Sequence, residues 1–375
     1  MITVLIFLAM LVALVLVHEF GHFLTARAFG VKVLEFGIGY PPRLFGFTRG
    51  ETTYSVNLLP LGGFVKLLGE EDPTDARSLA AQALWKRFVV IFAGAFMNFI
   101  LPVGVFFAIA MVPQNVPVGR VQLQGVAPDS PAARAGLKPG DMVLRIDGHD
   151  VRNTQELAYR IRLRLGAETE WEVLRQKQAL TAPIGGGREP GFTPSLNPVS
   201  SETFVTRLTP RWRPPEGQGA SGVSISTVNA RFVKESSGPW SAFTGSFVQM
   251  GETLILFRNE ITGWIIRATT PQFAGPVGIA QVTGEVARTG GFVALLGLAA
   301  LLSLNLAILN VLPIPMLDGG RLLFLGIEFV RRGKRVSPKR EALVHMIGFV
   351  LLISLVVVIS FFDISRIVRG DSLLR

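Results

Sequence analysis

Four stretches of this chain are long and uncharged enough to cross a bilayer, which takes about 20 apolar residues each. The first runs from Met1 through Val17 and continues past His18, Glu19 and His22 to about Phe23. The second is Phe88 to Val112, the third starts near Gly290 and carries no charge until Asp318, and the fourth is Ala342 to Phe362. Such segments demand a fold built around a membrane, where every backbone polar group must find a partner inside the protein. Composition agrees. Charged residues make up 17% of the 375, below the roughly 25% of soluble domains. The first stretch lacks a basic n-region and no small-residue cleavage pattern follows it, so it reads as a span and not as a removed leader.

The net charge of +10 suggests an anionic partner, but the basic residues cluster beside the apolar stretches. Membrane topology accounts for them, with the lipid bilayer as partner and no nucleic acid. The loop after the first span carries Arg27, Lys32, Arg43, Arg49, Lys66, Arg77, Lys86 and Arg87, and the loop after the third carries RRGKRVSPKR. Both read as cytoplasmic under the positive-inside rule. The two termini and the long segment between the second and third spans are then extracytoplasmic. The chain has no cysteine, which excludes disulfides and thiolate metal sites.

The expected organisation follows in chain order. Residues 1–30 form the first span. Residues 31–87 hold a β-hairpin region, with RLFGFT and TTYSVNLL turning at Arg49-Gly50-Glu51, and LPLGGFVKLLG as a turn and a further short strand. Its many apolar side chains suggest a sheet that dips into the cytoplasmic membrane face. An edge there would bind an extended substrate as an added strand. Residues 88–112 are the second span. Residues 115–230 form an extracytoplasmic α+β domain in which Ser130-Pro131 caps a short helix, Gly136 ends it, and Lys138-Pro139-Gly140-Asp141 turns into a strand. This pattern resembles a PDZ domain of the bacterial protease type, with an insertion at Gly185–Gly187 and Pro190–Pro198. The resemblance implies that Val118–Val121, with Val118 and Gly119, supplies a carboxylate-binding turn. Residues 238–289 read as an interfacial amphipathic helix and, at 273–281, a Gly/Pro-broken linker. A broken third span (290–330), a basic loop (331–341) and the fourth span (342–362) complete the chain. The fold class is therefore an α-helical polytopic membrane protein with four spans, a membrane-associated sheet and an outer α+β domain.

The chemistry sits in HEFGH. On a helix, residues four apart share a face, so His18 and His22 reach one metal ion, and neutral imidazoles suit Zn²⁺. Glu19 lies beside them, placed to take a proton from water. Three ionisable residues within a span are costly unless a partner compensates, and a metal is the obvious one. A catalytic zinc needs a third protein ligand. The two remaining histidines, His149 and His345, read as a turn residue and as an interfacial or packing residue. Asp318 is the better candidate: it ends the uncharged third span in NVLPIPMLDGG, where Pro313 and Pro315 break the helix. Spans one and three run in the same direction, so HEFGH and Asp318 both lie toward the cytoplasmic end.

HEFGH, PLGGFVKL, AGAFMNF, FAGPVGIA and NVLPIPMLDGG occur in that order. In this the chain resembles the site-2 protease family of intramembrane zinc metalloproteases (M50), and its outer domain makes it similar to the regulator of sigma-E protease branch. The match covers nearly the whole chain. Two departures stand out. The second-span motif usually reads G-P-x-x-N, whereas Ala95 follows Gly94 here and leaves Asn98 as the matching polar residue. The branch's best-known members also carry two PDZ domains, and one is visible. The resemblance implies one Zn²⁺ per chain held by His18, His22 and Asp318, with Glu19 as general base. It implies substrate contacts at Asn310 and Pro313, support from Asn98, and a substrate strand along the edge at Tyr54–Leu58 or Gly63–Leu67. It implies cleavage of transmembrane segments of single-span substrates, such as anti-sigma-factor-like proteins and signal-peptide remnants, in a bacterial inner membrane. Two other readings remain open on the residues alone. A metal- or proton-handling transporter predicts repeat symmetry between the chain halves, which is not visible. A silent PDZ scaffold has no use for Glu19.

Overall fold

The computed structural model describes residues 2–70, 72–176, 201–267 and 274–370. It divides into two compact units, one containing residues 1–111, 239–250 and 272–375, the other residues 112–238 and 251–271.

The first unit is helical, with one sheet. Helix α1 (Ile2–Ala28) is an unbroken apolar run that continues past HEFGH. Strands β1 (Val33–Arg49) and β2 (Thr52–Leu67) follow, then α2 (Leu84–Met111). Helix α1 meets α2 at Gly21, where a Cβ would overlap the Ala93 carbonyl. Small residues of this kind let two apolar helices approach closely without a hydrophobic driving force.

The sheet is more folded than the hairpin and further short strand read from the sequence. Residues 52–57 pair with 43–49 across the turn and with 35–38 on their other side. Residues 35–38 pair in turn with 63–66. The expected strand at Gly63–Leu67 is thus the continuation of β2, and β1 begins ten residues before RLFGFT. Tyr54 consequently lies in an interior segment, and the edge expected at Tyr54–Leu58 is occupied along 53–56 by pairing on both sides. Two outer edges, 43–49 and 63–67, have no described strand beyond them, and 63–67 is the one that lies against α1 and Glu19. Phe23, Ala26, Val31, Val33, Val90 and Leu325 form the apolar core where the sheet meets the helices. Leu44, Phe45, Phe47 and Leu58 remain exposed, an apolar surface larger than scattered single residues would make.

Helices α5 (Pro239–Arg267), α6 (Pro276–Thr289), α7 (Gly291–Val311), α8 (Asp318–Val330) and α9 (Pro338–Val368) complete the chain. Among the described residues, four helices, α1, α2, α7 and α9, are long and apolar enough to span a membrane. The chain is a polytopic membrane protein. Helix α6 corrects the linker reading of 273–281: Pro276 stands in the first turn, where its missing N–H and fixed φ are tolerated, so the Gly-Pro pair starts a helix instead of breaking one. Helix α9 outruns its expected span at both ends, because apolar length reports bilayer thickness while helical hydrogen bonding continues through Asp363 and Arg366. The third span breaks at 312–317 and resumes as α8.

The second unit contains β3 (Gln114–Val126), α3 (Pro131–Arg134), β4 (Met142–Ile146), β5 (His149–Asp150), α4 (Thr154–Leu163), β6 (Thr169–Gln176), β7 (Ser201–Leu208) and β8 (Val223–Glu235). Its sheet runs β7-β6-β4-β3-β8, with β5 on β4. Ser130 caps α3 by accepting the Ala133 N–H at 3.1 Å. Asp141 closes the Lys138–Asp141 turn by accepting the Lys138 N–H at 2.8 Å, and Arg175 of β6 pairs with it. Trp171, Leu123, Ile146 and Leu157 fill the core. Glu252 and Asn259 of α5 bind this unit at α4: Glu252 accepts from the Tyr159 hydroxyl and Arg160, and Asn259 donates to the Arg162 carbonyl. Val118 and Gly119 lie inside β3, not in a turn. Val118 pairs with Arg231, and the Gly119 N–H donates to the Arg152 carbonyl at 2.8 Å, so that amide is committed elsewhere. The expected insertion at 185–198 falls outside the described residues.

One buried ion pair ties α8 to α2. Both oxygens of Glu328 accept from Arg87, at 3.0 and 2.8 Å, and Arg335 joins at 3.2 Å. Removing one partner of a buried pair costs about 3–5 kcal/mol, because the other charge is stranded. Glu328→Ala is therefore expected to lower the thermal midpoint of the detergent-solubilised protein strongly. Glu51→Ala, which breaks the half-exposed pair with Arg77, is expected to leave it nearly unchanged. Equal shifts would contradict the assignment.

Candidate metal centre

Helix α1 carries His18 and His22 one turn apart, and both are buried. Asp318 reaches them because the third span breaks at 312–317. Gly319 and Gly320 fold back on that turn: a Cβ on Gly319 would overlap the Leu312 carbonyl, and one on Gly320 would lie 2.6 Å from the Ile314 carbonyl. No other residue permits that approach, so the turn ends with Asp318 opening α8 and aimed at α1. Its Oδ2 lies 3.0 Å from His18 Nε2 and 3.3 Å from His22 Nε2, while the two Nε2 atoms are 3.2 Å apart.

The proton positions make this triangle informative. His22 Nδ1 lies 2.7 Å from the Val90 carbonyl. A carbonyl only accepts, so the proton is on Nδ1 and Nε2 presents a bare lone pair. Beyond His18, the Asn98 amide nitrogen stands 3.5 Å from Nδ1, and Asn98 Oδ1 is buried without a partner. Turning the amide over lets Oδ1 accept from His18 Nδ1–H, which satisfies that oxygen and frees the second Nε2. Asp318 Oδ2 is buried and makes no hydrogen bond of acceptable angle despite its short contacts. Three lone pairs thus converge on one point, which a cation resolves. The edges also fit the metal. A tetrahedral zinc with bonds of about 2.0–2.1 Å sets its ligands about 3.3–3.4 Å apart, and the three observed edges are 3.0, 3.2 and 3.3 Å. Among the described residues, His18, His22 and Asp318 form the one group of three side chains able to hold a metal ion. Glu19 stands beside them, its Oε2 accepting the Val65 N–H at 3.0 Å.

The chain matches the peptidase family M50 over residues 6–355. The chain belongs to peptidase family M50. A relative from Clostridium perfringens is 34% identical over 353 residues, covering 94% of this chain and 95% of its own. The zinc metalloprotease RasP of Geobacillus kaustophilus is 30% identical, with 96% and 97% covered. RasP of Oceanobacillus iheyensis is 27% identical, with 98% and 100% covered. This M50 protein is a zinc metalloprotease of the site-2 type.

The M50 chain gathers its other expected site residues unevenly. Asn98 is fully buried beside His18, and its carbonyl accepts from Ser303 of α7 at 2.8 Å. Gly63 lies against α1, where a Cβ would sit 3.9 Å from Glu19 Cγ and 3.1 Å from a Leu16 methyl. Asn310 is buried near the end of α7, and Pro313 is exposed in the break. Tyr54 packs among Phe23, Phe36 and Phe47, so it supports the sheet. Val118 and Gly119 belong to the other unit.

Three features escaped the sequence reading: the Val90 carbonyl, the Val65 N–H and the role of Gly94. The first two are backbone groups and leave no residue signature. Gly94 did leave one, as the centre of the small triplet Ala93-Gly94-Ala95 in an otherwise bulky span. A Cβ there would overlap His22 Nε2 and stand 2.7 Å from His18 Nε2. Gly94→Ala is therefore expected to displace both imidazoles and lower bound zinc per chain, read by metal analysis of the purified protein. Full zinc in Gly94→Ala would show that the cradle does not need that space.

Proposed function

We propose that His18, His22 and Asp318 hold one zinc ion and that Glu19 is the general base and acid of an intramembrane peptide-bond hydrolysis. The observation that carries this reading is the convergence of two imidazole lone pairs and an unsatisfied carboxylate oxygen on one point, with Glu19 adjacent. Zinc, when bound, supplies Lewis-acid polarisation of a carbonyl and makes an attacking water more acidic. Glu19 takes the proton from that water and passes it to the leaving amine. The Val65 N–H holds one carboxylate oxygen of Glu19, which fixes the direction in which the side chain faces.

The substrate lies as an added strand along the outer edge of 63–67. That edge supports the reading because its Val65 N–H points at Glu19 and no described strand lies beyond it. A helical substrate must unwind first, because its carbonyls are otherwise held in its own hydrogen bonds. Asn310 and Pro313 line the approach from the third span. The natural substrates are single-span proteins already trimmed outside, of the anti-sigma-factor kind, and signal-peptide remnants. The 115–230 domain is a PDZ module on the extracytoplasmic side; the Ser130-capped α3, the Lys138–Asp141 turn and the α4 helix support this. It filters substrates by size, since Val118 and Gly119 do not form a free carboxylate-binding turn. The metal centre faces the cytoplasmic half of a bacterial inner membrane, a reading supported by the charges of the two basic loops.

Purified wild type, Glu19→Gln and Asp318→Ala, each assayed for zinc and for cleavage of a single-span test substrate, check this. Glu19→Gln is expected to keep its zinc and lose roughly 10²–10⁴-fold in rate, the usual contribution of acid–base catalysis. Asp318→Ala is expected to bind zinc more weakly and to purify with lower zinc occupancy. Cleavage at wild-type rate by Glu19→Gln, or undiminished zinc in Asp318→Ala, would overturn the assignment.

A further inference from the structure

Helix α9 is the least buried of the four spans. Its two buried residues are Gly348 and Asp363, and each marks a place where the span is tethered. At Asp363 the carboxylate accepts the Gly278 N–H in the first turn of α6, at 2.8 Å. The other tether lies at Gly348 and His345, three residues apart on one helical face, and it grips the break in the third span.

The contacts there are specific. Gly348 rests on Pro315: a Cβ would overlap the Pro315 Cβ and lie 3.0 Å from the Pro315 carbonyl oxygen. The next residue, Met316, donates its N–H to His345 Nδ1 at 2.9 Å. A backbone N–H only donates, so Nδ1 acts as the acceptor. The His345 ring also packs on Phe324 of α8, with centroids 5.6 Å apart. One side chain of α9 therefore touches both the turn and the helix that Asp318 begins. Met316 has φ +80°, a left-handed conformation that a non-glycine residue adopts only when its surroundings hold it there. The hydrogen bond to His345 is such a restraint, two residues before Asp318.

We infer that His345 is a positioning residue for the metal centre. It holds the 312–317 turn in the shape that aims Asp318 at His18 and His22, so the zinc affinity of a site built on α1 and α8 depends on the fourth span. This rests on the reading of Asp318 as a zinc ligand. The histidine itself is not a ligand; its work is done through the Met316 amide.

The full chain in detergent micelles provides the test, with zinc affinity measured by chelator competition and kcat and KM measured on a single-span substrate. His345→Phe keeps a ring against Phe324 but removes the acceptor, and His345→Leu is a second acceptor-free variant. His345→Asn returns an acceptor, because its Oδ1 falls near the position of Nδ1. The acceptor-free variants are expected to bind zinc roughly tenfold to a hundredfold more weakly, the usual effect of losing an outer support of a ligand. They are expected to lower kcat with little change in KM, and His345→Asn is expected to recover both zinc affinity and kcat. In an Asp318→Ala background, His345→Phe is expected to weaken zinc no further. Wild-type zinc affinity in both acceptor-free variants would overturn the inference. So would an Asn variant as weak as Phe, or additive weakening in the Asp318→Ala background. If Asp318→Ala alone leaves zinc affinity unchanged, the reading of the site fails. If it weakens zinc and His345→Phe does not, this inference alone fails.

Discussion

Three lone pairs that meet at one buried point are the constraint on which the rest of this structure depends. Two imidazole nitrogens and a carboxylate oxygen within 3.3 Å of one another repel where little solvent is left to screen them. A cation held between them would turn that repulsion into attraction, and the surrounding protein fixes the three groups in this arrangement. The Val90 carbonyl fixes one imidazole, and Asn98 braces the other. Gly94 leaves the space into which both rings point. Each of these comes from α2, so the second span shapes the proposed metal site although none of the three proposed ligands lies on it.

The remaining architecture brings Asp318 to α1. A continuous third span would carry the carboxylate past the histidines along the helix axis. The break at 312–317 instead stops the helix, turns the chain and restarts it with Asp318 at its first position, while Gly319 and Gly320 give the turn room to fold onto α8. The Glu328–Arg87 pair anchors the other end of α8 to α2. The β-sheet then supplies what the helices lack. Its outer edge at 63–67 brings a backbone N–H to Glu19, and the sheet exposes many aromatic and aliphatic side chains.

Much of the site was legible in the sequence because charge in an apolar stretch is conspicuous. His18, Glu19, His22 and Asp318 each interrupt a run that otherwise avoids ionisable groups, and helical spacing put the two histidines on one face. Asn98 came from the family resemblance, as the polar residue that still matches the second-span motif. What was not legible depends on contacts between distant segments. The 53–56 segment looked like an edge until 35–38 proved to cover it. The Gly-Pro pair at Gly275-Pro276 looked like a breaker, but proline is tolerated in a first helical turn and here begins α6. Val118 and Gly119 resembled a loop motif whose amides are free, whereas the Gly119 amide is bound to Arg152. His345 gave no signal beyond being a histidine near a span end, since its partner is a backbone N–H 29 residues away.

The most direct measurement is zinc X-ray absorption of the purified, metal-loaded protein. The chain has four histidines and no cysteine, so the number of imidazoles in the zinc shell distinguishes the possible sites. A centre made of His18, His22 and Asp318 gives two imidazole nitrogens and oxygen donors at about 2.0–2.2 Å. A shell with three imidazoles, or with fewer than two, would contradict a centre made of His18, His22 and Asp318.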